Sequence, residues 1–195
     1  MILRFILAVS VLTLCSCSSP KFKNPHIRIQ TKIGNIEIEL FGDKAPQTVT
    51  AILAYIDSGL YKDASFYRVL NMNNQPSDAP KAELIQGGLW NKIGIQRDLL
   101  PGIQHENTRQ SGILHTNGVI SLARQEPGTA NTEFFICVGD QPGFDYGGEN
   151  NSDGQGYAAF GKVVKGMDIV RRIYDMHEDD QYFDPPVPIF TIERL

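Results

Sequence analysis

Apolar residues fall on alternate positions in two runs near the start of the chain, His26 to Thr31 (HIRIQT) and Asn35 to Phe41 (NIEIELF), joined by a turn carrying Gly34 and Asn35. A period of two buries one face of a strand and leaves the other to water. The stretch therefore predicts an antiparallel hairpin with Ile36, Ile38 and Leu40 inward and Glu37 and Glu39 in solvent. Strand-like runs return at Ser65 to Leu70, Gly112 to His115, Val119 to Ala123, Glu133 to Val138, Tyr157 to Val164 and Pro188 to Arg194, with glycines punctuating the later ones. Helical periodicity starts at Ala45-Pro46 and runs to about Ser58, with Val49, Ile52, Leu53 and Ile56 on one face and Gly59 as the stop. A shorter helix is expected at Met167 to Tyr174. Many short strands and few helices point to a closed or nearly closed β-barrel.

The chain has 195 residues, 42% of them hydrophobic and 21% charged, which suits one soluble globular domain. Its formal charge of -4 and its scattered lysines and arginines give no footprint for a phosphate backbone, so nucleic-acid binding is set aside. Residues 1–17 (MILRFILAVSVLTLCSC) place Arg4 before an apolar run, Phe5 to Leu14, too short to span a membrane stably, which reads as a secretion signal. Its end, Leu14-Cys15-Ser16-Cys17, resembles a bacterial lipobox and implies cleavage before Cys17 and lipidation of that cysteine. Residues 18–25 (SSPKFKNP) then form a polar tether, and residues 26–195 the folded domain. The expected location is the bacterial cell envelope, held by the lipid and facing the periplasm. Cys137 remains as a buried thiol with no disulfide framework.

The run SFYRVL sets Arg68 inside an apolar strand. A buried arginine needs a partner; the other reading is a cation presented to a ligand from an apolar wall. Taken in order, FYRV (66–69), LIQGG (84–88), GVISLAR (118–124), EFFI (133–136) and AFGKVVKGMDIV (159–170) resemble the cyclophilin peptidyl-prolyl isomerases, and the helix start APQTV (45–49) is similar too. The resemblance runs from about Ile27 to the C-terminus. It implies a mainly β fold, a closed eight-stranded antiparallel barrel flanked by two α-helices, with a proline-binding groove on its outer face. It further implies that Arg68 is catalytic and that Gln86 holds Arg68 and hydrogen-bonds the substrate backbone. Leu84 and Phe135 would floor the proline pocket, Ala123 would line the neighbouring shelf, Phe144 would belong to the apolar wall and Tyr157 would edge it. Phe134 faces the core by alternation. No metal or cofactor is required. The expected partners are proline-containing polypeptides, in particular exported chains, and the membrane through the lipid anchor; a monomer is expected.

Some positions depart from the family pattern. Tyr67 and Tyr157 stand where histidine is common, Arg124 and Glu133 replace asparagine and glutamine, and Glu83 occupies a position often held by a pocket phenylalanine. A carboxylate there would weaken apolar binding unless it turned away. Trp90 is expected to pack on the barrel. The alternative to catalysis is a proline-peptide binding or chaperone module on the same fold. The loop GGENNSDGQG (147–156) offers Asn151 and Asp153 as calcium-like ligands, but the EF-hand spacing puts Phe160 where a bidentate glutamate is needed. His105 and His115 lie near Ser111 without a nucleophile elbow. Residues 71–81 read as a polar loop, and Glu178-Asp179-Asp180 as a solvated one.

Overall fold

The computed structural model describes residues 22–90, 92 and 99–195; the expected signal peptide, Cys17 and the first part of the tether lie outside the described residues. β1 (His26–Thr31) and β2 (Asn35–Leu40) form the predicted hairpin, with Ile27 opposite Ile38 and Ile29 opposite Ile36. The other strands are β3 (Ala64–Leu70), β4 (Leu84–Gly88), β5 (Val119–Leu122), β6 (Phe134–Cys137), β7 (Ala158–Lys165), β8 (Glu178–Asp179) and β9 (Tyr182–Arg194). Around the sheet the order is β1-β2-β7-β5-β6-β4-β3-β9, and β9 pairs back onto β1. Eight antiparallel strands thus close on themselves and leave no free edge. β8 is an extra short strand hairpinned onto β9.

Three helices accompany the barrel among the described residues: α1 (Pro46–Asp57), α2 (Thr108–Ser111) and α3 (Met167–Tyr174). The first and last are those expected. α2 is a single turn beside the predicted strand at Gly112 to His115, which does not form. The Asn107 side chain accepts from Gln110 N while the Gln110 side chain accepts from Asn107 N, and Gly112 in the left-handed region stops the turn. In α1, Pro46 occupies the first turn, and Val49, Ile52, Leu53 and Ile56 bury one face. No side chain of α1's own N-cap satisfies its leading N–H groups. Glu106 does so from far along the chain, accepting from Gln47 N at 3.1 Å, Thr48 N at 2.8 Å and Thr48 Oγ1 at 2.7 Å.

The barrel interior is filled by Ile29, Ile36, Ile38, Phe66, Ile85, Phe134, Ile136, Phe160 and Ile189, none more than 2% exposed. Gly87 makes room for it: a Cβ there would stand 2.9 Å from the Phe66 ring and 3.3 Å from that of Phe134. Glu37, expected in water, is buried. It stays on the outer face, where the β2–β7 pairing slips past an extra residue, Val164 of β7, and its carboxylate meets His26 Nδ1 and Lys165 Nζ at 3.0 Å each. β9 also begins earlier than Pro188. Its pairing with β3 jumps from Val187 to Tyr182, so Pro185 and Pro186 fall in a bulge where no ladder donor is needed.

Candidate active site

The same irregularity in β3 builds the site. Phe66 pairs with Gly87 and Arg68 with Gln86, so Tyr67 is an extra residue. A bulge re-aims side chains. Here Phe66 enters the core, while Tyr67 and Arg68 both reach Gln86. Register then carries the row across the sheet: Arg68 is opposite Gln86, Gln86 opposite Phe135, and Phe135 opposite Ser121. With neighbouring strands about 4.8 Å apart, Arg68 and Phe135 are separated by roughly 10 Å at the backbone, the scale of a short peptide segment. Leu84 lies one alternation away, opposite Leu70 and Cys137.

Two arginines border this row and differ in how many donors they have committed. A guanidinium carries five N–H groups. All five of Arg124 are engaged: Nε and Nη2 donate to Gly156 O at 2.9 and 2.6 Å, Nη1 to Gln125 O at 2.9 Å, and Nη1 and Nη2 to Asp153 at 2.7 and 2.9 Å. Its side chain has no exposed surface. It is a structural cation, and it holds the Asp153 carboxylate below the usual carboxylate range. Asp153, the acid of the calcium-like loop, is therefore an ion-pair partner.

Arg68 is half-buried and uses three of its five N–H groups. Nη1 donates to Gln86 Oε1 at 3.3 Å, and Nε and Nη2 donate to Gln181 Oε1 at 3.2 and 2.6 Å. Both acceptors are neutral amides, so the charge is held without being neutralised. Gln86 is fixed in turn by its Nε2, which donates to Tyr67 Oη at 2.6 Å. Burial, then the charge of Glu133, pushes the Tyr67 phenol far above its ordinary range, so it stays neutral as an acceptor.

Phe135, Leu84, Phe144 and Cys137 form an apolar cluster separate from the barrel core, with Leu70, Ala123 and Tyr157 against it. Phe144 comes from a 3-10 turn (Pro142–Phe144), and Tyr157 N donates to its carbonyl at 3.0 Å. The Tyr157 ring stands edge-on to Phe135 at 5.4 Å and to Phe144 at 5.2 Å, under the Arg124 guanidinium at 5.3 Å. Gly156 makes this turn possible, since its φ is +64° and a Cβ would lie 2.6 Å from Phe144 O. Behind the wall, His115 stacks on Phe135 at 6.0 Å. Its Nδ1 is 2.8 Å from Asp145 Oδ1 and its Nε2 is 3.0 Å from Ser121 Oγ. The carboxylate assigns the proton to Nδ1, which leaves Nε2 to accept from the serine. Ser121 is fully buried, so this Ser-His-Asp row braces the wall and offers no nucleophile.

The structure thus brings Arg68, Gln86, Leu84, Phe135, Phe144, Tyr157 and Ala123 together, with Leu84, Phe135 and Phe144 themselves buried. Cys17 lies outside the described residues. Glu83 turns away: its Oε1 accepts from Tyr174 Oη of α3 at 2.7 Å. Next to the wall, a groove of about 490 Å³ is lined by Tyr67, Gln86, Ala123 and Arg124. Trp90 forms its mouth, 53% exposed and stacked on Tyr67 at 6.3 Å. Gln181 is the contributor that sequence reasoning missed. It sits after the acidic residues read as a solvated loop, and nothing local marks its side chain as a partner of Arg68.

A model of the family "cyclophilin type peptidyl-prolyl cis-trans isomerase" matches residues 26–194. The chain is similar to peptidyl-prolyl cis-trans isomerase A of Dickeya dadantii, with 32% identity covering 91% of this chain and 87% of that protein. It is also similar to peptidyl-prolyl cis-trans isomerase B of Escherichia coli, with 34% identity covering 86% and 99%. Among solved structures, a cyclophilin-type peptidyl-prolyl cis-trans isomerase of Cryptosporidium parvum superposes with a TM-score of 0.68 at 21% identity, covering 88% of this chain and 97% of that one. A second structure of that protein, obtained in the presence of the dipeptide Ala-Pro, gives 0.66 at 22% identity, covering 86% and 97%.

Proposed function

The chain belongs to the cyclophilin-type peptidyl-prolyl cis-trans isomerases, and on that premise we propose that Arg68 accelerates X-Pro rotation by hydrogen bonding to the prolyl nitrogen. Rotation about the imide breaks no σ bond, yet resonance imposes a barrier of about 18–20 kcal/mol and leaves isomers exchanging over tens to hundreds of seconds. As the bond twists, the nitrogen pyramidalises and its lone pair localises. A donor aimed at that pair stabilises the twisted geometry more than either planar one, which is the differential binding that speeds a reaction. Arg68 has two uncommitted N–H groups, remains protonated, and stands beside an apolar wall where its hydrogen bonds are strengthened. The single observation that carries this reading is its place in one cross-strand row with Gln86 and Phe135, held by neutral amides.

In this arrangement Gln86 orients the guanidinium and bonds the substrate backbone. Leu84, Phe135 and Phe144 receive the pyrrolidine ring with Tyr157 at its edge, and Ala123 lines the shelf for the preceding residues. Isomerisation of a short X-Pro peptide by wild type and Arg68→Ala tests the assignment. A loss of about 10²–10³-fold is expected, the scale seen when a preorganised transition-state donor is removed; equal rates would retire it in favour of a binding module.

The clients, on this reading, are exported polypeptides met at the periplasmic face of the envelope by a monomeric domain lipidated at Cys17. The motif Leu14-Cys15-Ser16-Cys17 after a short apolar run supports this. Cys17→Ala should move the protein from the membrane to the soluble fraction. Unchanged fractionation would remove the anchor from the account.

A further inference from the structure

We infer that Gln181 is a positioning residue for isomerisation, fixing the plane and direction of the Arg68 guanidinium from a turn outside the groove motifs. The inference rests on the reading of Arg68 given above. Gln181 is the second central residue of the two-residue turn Asp180-Gln181, which joins β8 to β9. Both central residues have positive φ, 47° and 75°. That is the type I′ geometry for which asparagine and glycine are the usual occupants. A glutamine at φ +75° is strained, so something other than the turn must hold it there.

Its hydrogen bonds supply the reason. Gln181 N donates to Glu178 Oε2 at 2.6 Å, its carbonyl accepts from Val69 N at 2.8 Å, and its Nε2 donates to Asn74 O at 2.9 Å. The residue is thus tied to the hairpin and to β3 by its backbone, and its side chain to the loop after β3. Its Oε1 is left to take Nε and Nη2 of Arg68 together. With that edge occupied and one Nη1–H on Gln86, rotation of the guanidinium about its stem is blocked. The two remaining N–H groups keep one heading, which is what a donor needs if it is to meet a lone pair that exists only in the twisted imide. A glutamate would hold the same edge and neutralise the charge; glutamine holds it and leaves the charge intact.

Gln181→Gly and Gln181→Asn separate catalysis from stability. Both residues accept positive φ, so the melting temperature is expected to stay or rise, and neither reaches Arg68. Each variant is expected to lose tenfold or more in kcat/KM on an X-Pro peptide, carried by kcat with KM little changed. In an Arg68→Ala background the same substitutions are expected to change the residual rate less than twofold. Folded variants within twofold of wild type would overturn the inference, as would an equal proportional loss in the Arg68→Ala background. If Arg68→Ala itself retained the wild-type rate, the reading of Arg68 would fall first, and with it any role for Gln181 in aiming it.

Discussion

Replacing Arg124 with alanine removes all five donors of a cation whose side chain has no exposed surface. The losses are unequal because the partners differ in their access to water. Gly156 is buried, and its carbonyl oxygen would be left unpaired at a cost of about 1–3 kcal/mol. Asp153 is a quarter exposed and can regain water, so the ion pair itself contributes only about 0.2–1 kcal/mol. Removing the cation over the Tyr157 ring costs about 0.5–2 kcal/mol. Together these predict a loss of about 2–6 kcal/mol, or roughly 4–24 °C in Tm for a domain of this size. Asp153→Asn, which removes only the charge, should cost about 1 kcal/mol or less. Thermal unfolding followed by near-UV circular dichroism, which reports the packing of Tyr157 against Phe135 and Phe144, measures both. An Asp153→Asn variant as unstable as Arg124→Ala would refute the reasoning, because the ion pair and not the buried carbonyl would then carry the effect.

Glu106→Gln should destabilise by about 1–3 kcal/mol, since it weakens a buried cap on α1, with isomerase activity of the folded protein unchanged; urea unfolding beside a peptide assay checks both. The hydrogen bond from Lys165, helped by His26, holds the Glu37 carboxyl below its ordinary value. Its contribution is therefore complete above the ordinary carboxylate range and is lost as pH falls towards the depressed value. Glu37→Gln should flatten the acid limb of a Tm-against-pH curve, and an unchanged limb would count against the assignment. Burial raises the Cys137 thiol far above its usual range. A chromogenic disulfide reagent should leave it unmodified in the native protein and react promptly in denaturant, a contrast that reaction in buffer would contradict.

Much of the site was legible because short motifs such as FYRV, LIQGG and EFFI resemble those of a known family, and alternation decides which residue of a pair faces the groove. Phe134 and Phe135 must face opposite sides of β6, and Arg68, Gln86 and Phe135 come from β3, β4 and β6, which are lateral neighbours in the barrel. What could not be read depends on contacts distant along the chain. The Tyr67 bulge, which frees two consecutive side chains for one face, leaves no mark in SFYRVL. Glu83 seemed to threaten the pocket because nothing local announces its partner Tyr174, ninety-one residues later. Glu37 had the pattern of an exposed strand residue, and it is covered on the outer face by His26 and Lys165, contacts that nothing local announces. At Gly112 to His115 the capping pair Asn107 and Gln110 outweighed a weak strand pattern. Gln181 is the most hidden, 113 residues from Arg68 in a turn made without glycine or asparagine.

The most direct test of the central claim is the cis/trans exchange rate of an X-Pro peptide while bound, read by NMR exchange spectroscopy alongside its Kd, for wild type and Arg68→Ala. If Arg68 grips the twisted imide, the bound-state exchange rate falls about 10²–10³-fold while Kd changes only a few-fold. An exchange rate that stays near wild type while Kd rises by the full factor would show that Arg68 holds the planar peptide, and the account would fail.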